Sequence, residues 1–453
     1  MLHDPIVALA TPPGRSALAV IRLSGRGAYE IAARCLTPFR PDPPRTVFRA
    51  RLAHPATGDP IDDVLAVCFP APRSYTGDDA VEITTHGGLA APAAAVAALA
   101  AAGARAAAPG EFTRRAVRNG KMDLLQAEAT ADLIDAGAPA QRRRALHQLD
   151  RGLSRRLAAL RDAILTLEAL IAYEIDFPEE DEGSVDPARV AGAWRTARDG
   201  VADLLATAPD GERLREGALL VIAGPPNAGK SSLFNALLGT ERALVTEIPG
   251  TTRDAIEAHA VIDGFPFRLV DTAGLRTTAE RVESLGIEVA RRYLGAADLV
   301  LYCEETGEGG EGTGDAAARE RFITGCAAPV IRVRTKADLA PASVRSDAPA
   351  PSVSSVTGAG LAELRRALAG AAFGHLVALG DVEPVVTRAR HRGALGRARV
   401  ELDAFAAARA AGIDAVVAAT HLRDAVAALD ELIGAVTADD VLDRVFASFC
   451  VGK

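Results

Sequence analysis

Three short stretches carry residue types suited to holding a phosphate chain. The first, "LLVIAGPPNAGKSSLFNALLG" (219–239), is an apolar run, then Gly224-x4-Gly229-Lys230-Ser231, then an amphipathic continuation. Glycines let backbone N–H groups curl round phosphates, and the N-terminus of a following helix adds partial positive charge. Asn227, Ala228, Gly229, Lys230, Ser231 and Ser232 form the predicted cradle. Lys230 reaches the β and γ phosphates and the Ser231 hydroxyl ligates Mg²⁺. The second stretch, "IPGTTRD" (248–254), supplies Thr252, whose hydroxyl completes the magnesium sphere when a γ-phosphate is present. The third, "DTAG" (271–274), places Asp271 near the metal, followed by Thr272 and Ala273, with the Gly274 N–H for the γ-phosphate. Each piece alone could be a turn threonine or a strand-end aspartate. Their order along the chain argues against that.

The base is read from "VRTKADLA" (333–340). A carboxylate at Asp338 accepts from N1–H and the 2-amino group of guanine, whereas adenine would turn a lone pair towards it. Lys336 can lie along the base plane, and Ser354, Ser355 and Val356 in "SVSSVTGAGL" (352–361) furnish a closing loop. GTP is the predicted ligand. The usual asparagine that opens this motif is Thr335 here. A hydroxyl makes fewer hydrogen bonds than an amide, so the expectation is weaker affinity with the same base choice.

In most such switches the residue after Gly274 is a glutamine that orients water; here it is Leu275. Either the site is inert, or the catalytic parts lie elsewhere. An arginine finger alone is worth roughly 10³–10⁵ in rate. Asn227 could face a monovalent cation beside the phosphates, with carbonyls of "TEIPGTT" completing a K⁺ site that carries the finger's charge. Downstream, Glu283 in "AERVESLGIE" could orient water; the equal alternative is a solvated helix start.

The positioning elements follow from periodicity. Short apolar runs with turn residues and alanine-rich stretches over residues 1–120 predict an α+β domain. Leu153, Leu157, Leu160, Ile164, Leu167 and Ile171 form one helical stripe. Asp186-Pro187 reads as an N-cap and first turn, with Val190, Trp194, Val201 and Leu205 inward. From 216 to 378 the pattern is strand–loop–helix, and it is helical again over 379–453. The expected architecture is an N-terminal α+β domain and an all-α domain, 121–215 joined with 379–453, interrupted by an inserted P-loop α/β domain.

Composition supports a multidomain globular chain: 453 residues, 49% hydrophobic and 24% charged. Five scattered cysteines point to a reducing compartment without a disulfide or zinc framework. With no signal peptide or membrane span legible, the expected location is cytoplasmic. The net charge of −8 makes a phosphate backbone an unobvious partner. The basic clusters at 141–156 and 387–399 read as solvated helix faces.

The P-loop with Asn227, "GTTRD", "DTAGLR" with "VESLGIE", "TPPGRSALAVIRLSG", "SYTGDDAVEITTHGG", "PGEFTRRAVRNGKMDLLQAEA" and the ending "FASFCVGK" together resemble the MnmE (TrmE) family of tRNA modification GTPases over the whole chain. The resemblance implies an N-terminal folate-binding domain that forms a homodimer, and K⁺-dependent hydrolysis. It maps potassium to Asn227, Thr246, Ile248 and Thr251, magnesium to Ser231 and Thr252, and the water-orienting acid to Glu283. It implies a tetrahydrofolate derivative (5-formyl or 5,10-methylene) near Arg22, Glu82, Lys121 and Lys453, with Cys450 in the tail, a small thiol expected to be buried or partly buried. It further implies an FAD-dependent partner, MnmG (GidA), in a heterotetramer or larger complex. With it, C5 of the wobble uridine in certain tRNAs receives a carboxymethylaminomethyl or aminomethyl group, nitrogen coming from glycine or ammonium. A ribosome-assembly or regulatory GTPase switch is the alternative. It would need an RNA-binding module or second G domain that the sequence does not offer.

Overall fold

The computed structural model describes residues 4–176, 185–239, 257–271, 283–305, 313–339, 351–380 and 384–434, with 442, 445, 446 and 449–452; for 283–288, 290, 313–316, 318 and 379 only the backbone is described. These fall into two units, Met1–Ala131 with Asp430–Lys453, and Asp132–Leu429. Among the described residues no helix is long and apolar enough to cross a membrane.

The first unit is built on a seven-stranded sheet. Its strands are β1 (Ile6–Leu9), β2 (Leu18–Ser24), β3 (Leu36–Thr37), β4 (Phe48–Ala53), β5 (Pro60–Phe69), β6 (Ala80–His86) and β7 (Arg105–Ala106), in spatial order β3-β4-β5-β6-β2-β1-β7. Strands such as β4, "FRARLA", alternate buried and exposed residues, so the sheet has one covered face. Against it lie helices Ala28–Cys35 and Ala90–Ala101, and the small side chains of Ala95 and Ala98 pack fully buried with Ile21, Leu23 and Ile83. The β2–β6 register sets Arg22 directly opposite Glu82. That cross-strand pairing brings together two residues far apart in sequence.

The second unit carries a five-stranded sheet. Its strands are β8 (Ala218–Ala223), β9 (Glu257–Ile262), β10 (Phe265–Asp271), β11 (Leu299–Glu305) and β12 (Val330–Thr335), in order β12-β11-β8-β10-β9. All six residues of β8 are buried, as expected for a central strand covered on both faces. β8 runs parallel to β10 and β11, and β11 parallel to β12, so their carboxyl ends share one edge. Crevices at such an edge are where open α/β sheets bind ligands. β9 and β10 form a tight hairpin through Asp263 and Gly264, both at positive φ (51° and 79°). At its tip the Gly264 carbonyl accepts from the Ala140 N–H, 3.0 Å, in the first turn of helix Pro139–Leu149.

Helix Gly152–Asp176 buries the predicted stripe, Leu153 through Ile171. Asp186 caps helix Pro187–Ala206 by accepting from the Ala188 N–H. The inward face of that helix differs from expectation: Ala197, Gly200, Val201 and Leu204 are buried, while Val190, Trp194 and Leu205 are half-buried. Close packing explains the offset, since a Cβ at Gly200 would lie 2.4 Å from Leu160 Cδ2. Trp194 lies at the margin because its indole N–H needs an acceptor, and it donates to the Leu402 carbonyl at 2.8 Å on helix Ala389–Ala410. Arg198 to Asp403 ties the same two helices together, and Arg409 to Glu174 ties helix Ala389–Ala410 to helix Gly152–Asp176.

Candidate functional site

The turn after β8 is held in conformations that only special residues adopt cheaply. Gly224 and Gly229 lie at φ 141° and 74°, and Asn227, a non-glycine, at 61°. A Cβ on Gly224 would stand 2.3 Å from the Cys303 carbonyl oxygen of β11. Helix Lys230–Leu238 begins directly after Gly229. A loop curling into a helix N-terminus is an anion cradle. Lys230 is buried, and its ammonium donates to the Pro225 carbonyl at 2.6 Å, folding over the loop that it is predicted to serve. Ser231 Oγ donates to Asp271 Oδ2 at 2.6 Å, so the end of β8's loop and the end of β10 meet. Beneath them Cys303 is fully buried, and burial pushes its thiol up to about 12, which makes it packing rather than a nucleophile.

A second group assembles at the end of β12. The segment after residue 350 zips onto β12 through Arg334 N–H to the Pro351 carbonyl and Val353 N–H to the Arg334 carbonyl. This brings Ser354 against the 3₁₀ turn Ala337–Leu339. Ser354 is fully buried; its hydroxyl donates to Asp338 Oδ1 at 2.6 Å and accepts from the Val356 and Thr357 N–H groups. Ser355 is half-buried beside it, and Val356 is exposed at the rim. Thr335 is buried, with its hydroxyl 2.7 Å from the Ala228 carbonyl and 3.0 Å from that of Glu304. It therefore links the end of β12 to the phosphate loop, a contact that hydrogen-bond counting on the sequence did not reveal. A polar residue at a buried strand end was the available signal.

Of the other predicted residues, Thr246, Ile248, Thr251, Thr252, Thr272, Ala273, Gly274 and Lys453 lie outside the described residues. Glu283 begins helix Glu283–Ala296, and its side chain lies outside them too.

In the first unit, Arg22 donates to Glu82 Oε1 through Nε (3.0 Å) and Nη2 (2.8 Å), and to the Gly452 carbonyl at 3.3 Å. Its guanidinium stands 5.2 Å from the Tyr75 ring centroid and 5.7 Å from that of Phe112. Lys121 donates to the Pro72 carbonyl at 2.9 Å, so both basic residues border the 72–77 loop. The tail is threaded closely: a Cβ on Gly452 would lie 2.5 Å from the Leu9 carbonyl oxygen. Tyr75 and Gly452 were not read from sequence, because only tertiary packing brings them to Arg22. Cys450 corrects the expectation of a buried or partly buried thiol: it is exposed. Its carbonyl accepts from the Gly110 N–H while Phe446 and Phe449 take the buried positions around it.

Two family models cover the chain: the MnmE helical domain matches residues 124–450, and the GTP-binding protein TrmE N-terminus matches residues 5–121. Among curated relatives, "tRNA modification GTPase MnmE" of Methylorubrum populi is 45% identical, spanning 100% of this chain and 98% of that protein. The same-named proteins of Moorella thermoacetica and Thermus thermophilus are 40% and 43% identical, each spanning 100% of this chain and 100% and 99% of theirs.

Proposed function

This chain belongs to the MnmE family of tRNA modification GTPases, and from that premise we propose the following division of labour. The protein is a GTP hydrolase that uses Mg²⁺ and takes part in tRNA modification. The observation that carries the nucleotide reading is the convergence of Lys230, Ser231 and Asp271 at one sheet edge, with Asp338 and Ser354 joined to it through Thr335. A hydroxyl and a carboxylate 2.6 Å apart are hard oxygen donors that fit Mg²⁺. Ser231 and Thr252 would hold Mg²⁺ and Asn227, Thr246, Ile248 and Thr251 would hold K⁺, which together supply positive charge against the phosphates. The chain's own groups do the rest. The 224–229 backbone and Lys230 bind the phosphates, Asp338 and Lys336 orient the base, and Gly274 donates its N–H to the γ-phosphate. Glu283 orients the attacking water that Leu275 cannot hold.

In the N-terminal unit the proposed ligand is a tetrahydrofolate derivative. Glu82 suits the donor edge of a pterin, and Arg22, Lys121 and Lys453 suit an anionic glutamyl tail. We further propose that the protein works as a homodimer with the FAD-dependent MnmG, the folate supplying the one-carbon unit added at C5 of the wobble uridine. GTP hydrolysis then drives a conformational cycle rather than bond formation.

The deciding experiment is mass spectrometry of wobble uridines in a deletion strain. The modified nucleoside should vanish; its persistence would point instead to a GTPase switch without modification chemistry. Two kinetic outcomes are also expected. Glu283→Ala should retain GTP binding and lose hydrolysis by about a hundredfold or more, within the range for a positioned acid or base. Near-normal turnover would remove Glu283 from the mechanism. Replacing K⁺ with Na⁺ should slow hydrolysis strongly, and equal rates in the two salts would eliminate the cation site.

A further inference from the structure

Two successive residues at the end of β11 point to opposite faces of the sheet, as strand geometry requires. Glu304 is turned to Arg332, with contacts of 3.2 Å from Nε and Nη2. Glu305 is the register partner of Thr335 on β12, and so stands beside the residue that precedes Lys336. Lys336 occupies the left-handed region at φ 58°, unusual for a long side chain, and its ammonium lies 2.9 Å from Glu305 Oε1. Asp338 follows two residues later, fixed by Ser354.

The pair is open to water, the two side chains being 32% and 52% exposed. A screened pair of this kind contributes little to folding. Its effect is to choose a direction: an unanchored lysine samples many rotamers, whereas an anchored one presents its methylene stem as a fixed wall. We propose that Glu305 is a positioning residue for the nucleotide, holding Lys336 so that its stem flanks the purine that Asp338 reads. This rests on the guanine-site reading above. It also separates two jobs: Asp338 distinguishes one purine from another, while the Glu305–Lys336 pair grips the flat face that all purines share.

The test is equilibrium binding of fluorescent GDP to the full chain, with unlabelled GDP and IDP as competitors. Glu305→Gln should weaken both by about threefold, inside the range for an exposed ion pair, leaving their ratio unchanged. The loss should shrink at high salt, and Glu305→Asp should recover part of it. For GTP hydrolysis, KM should rise while kcat at saturation stays constant. Lys336→Met keeps the stem without the charge, and Glu305→Gln added to it should have no further effect. That non-additivity is the signature of one residue acting through another. Wild-type affinity in Glu305→Gln, additive losses in the double variant, or a changed GDP-to-IDP ratio would each overturn the proposal. If the unaltered chain binds no guanine nucleotide, the site reading falls with it. If it binds normally and only the Glu305 effect is missing, the site reading stands.

Discussion

Gly224→Ala is expected to weaken GTP binding by about a hundredfold or more, overpacking and backbone strain costing about 1–3 kcal/mol each. The methyl group would lie 2.3 Å from the Cys303 carbonyl oxygen and 3.2 Å from the Cys303 backbone nitrogen and carbonyl carbon. These are backbone atoms of a fully paired strand, with Leu301 and Tyr302 in register against Ile222 and Ala223, so they cannot swing aside as a side chain would. The residue also needs φ near 141°, which an L side chain resists. The loop must therefore leave the position from which its N–H groups face the phosphates. A useful comparison is Gly370→Ala, at an exposed helical site where a Cβ meets nothing within 4 Å. It should bind GTP normally and gain up to about 1 kcal/mol in stability. Calorimetric titration together with thermal unfolding checks both. A Gly224→Ala protein that unfolds as wild type and binds GTP with wild-type affinity would contradict the account of the loop.

The second large effect concerns the choice of base. Asp338→Asn should lower affinity for GTP and raise it for XTP, reversing selectivity by about 10⁴, the scale on which hydrogen-bonding sites reject mismatched partners. The geometry says why the exchange should be clean. Ser354 donates to Asp338 Oδ1, and a donor there selects the amide rotamer that keeps its oxygen on Ser354. The amide nitrogen then faces the base, where it opposes the donors of guanine and satisfies the carbonyl that xanthine carries at C2. Competition binding with the two nucleotides measures the change. Retained preference for GTP would remove Asp338 from base recognition.

How much of this was legible in the chain depends on whether the contacts are local. The fold class was legible because β8 is a continuous apolar run and Gly152–Asp176 carries an unbroken stripe, both local signals. The phosphate loop was legible because its glycines, lysine and serine are neighbours in sequence. Pairings across long separations were not. Nothing before folding places Arg22 opposite Glu82, or brings the Gly452 carbonyl to the same guanidinium. Thr335 was legible as a departure from asparagine but not as a strut to Ala228, since that depends on how closely β12 approaches the loop. The buried face of Pro187–Ala206 was read one residue out at Leu205 because Gly200 allows an approach that side-chain periodicity does not encode.

The hairpin contact has a mechanical meaning. β10 starts beside Gly264, whose carbonyl is clamped by Ala140, and ends at Asp271, which touches Ser231. An extended strand is stiff along its length, and these seven residues span roughly 20 Å. β10 is thus a tie with fixed ends: one continuous strand, locked in register between β8 and β9, joins the Ser231–Asp271 contact to the first turn of helix Pro139–Leu149.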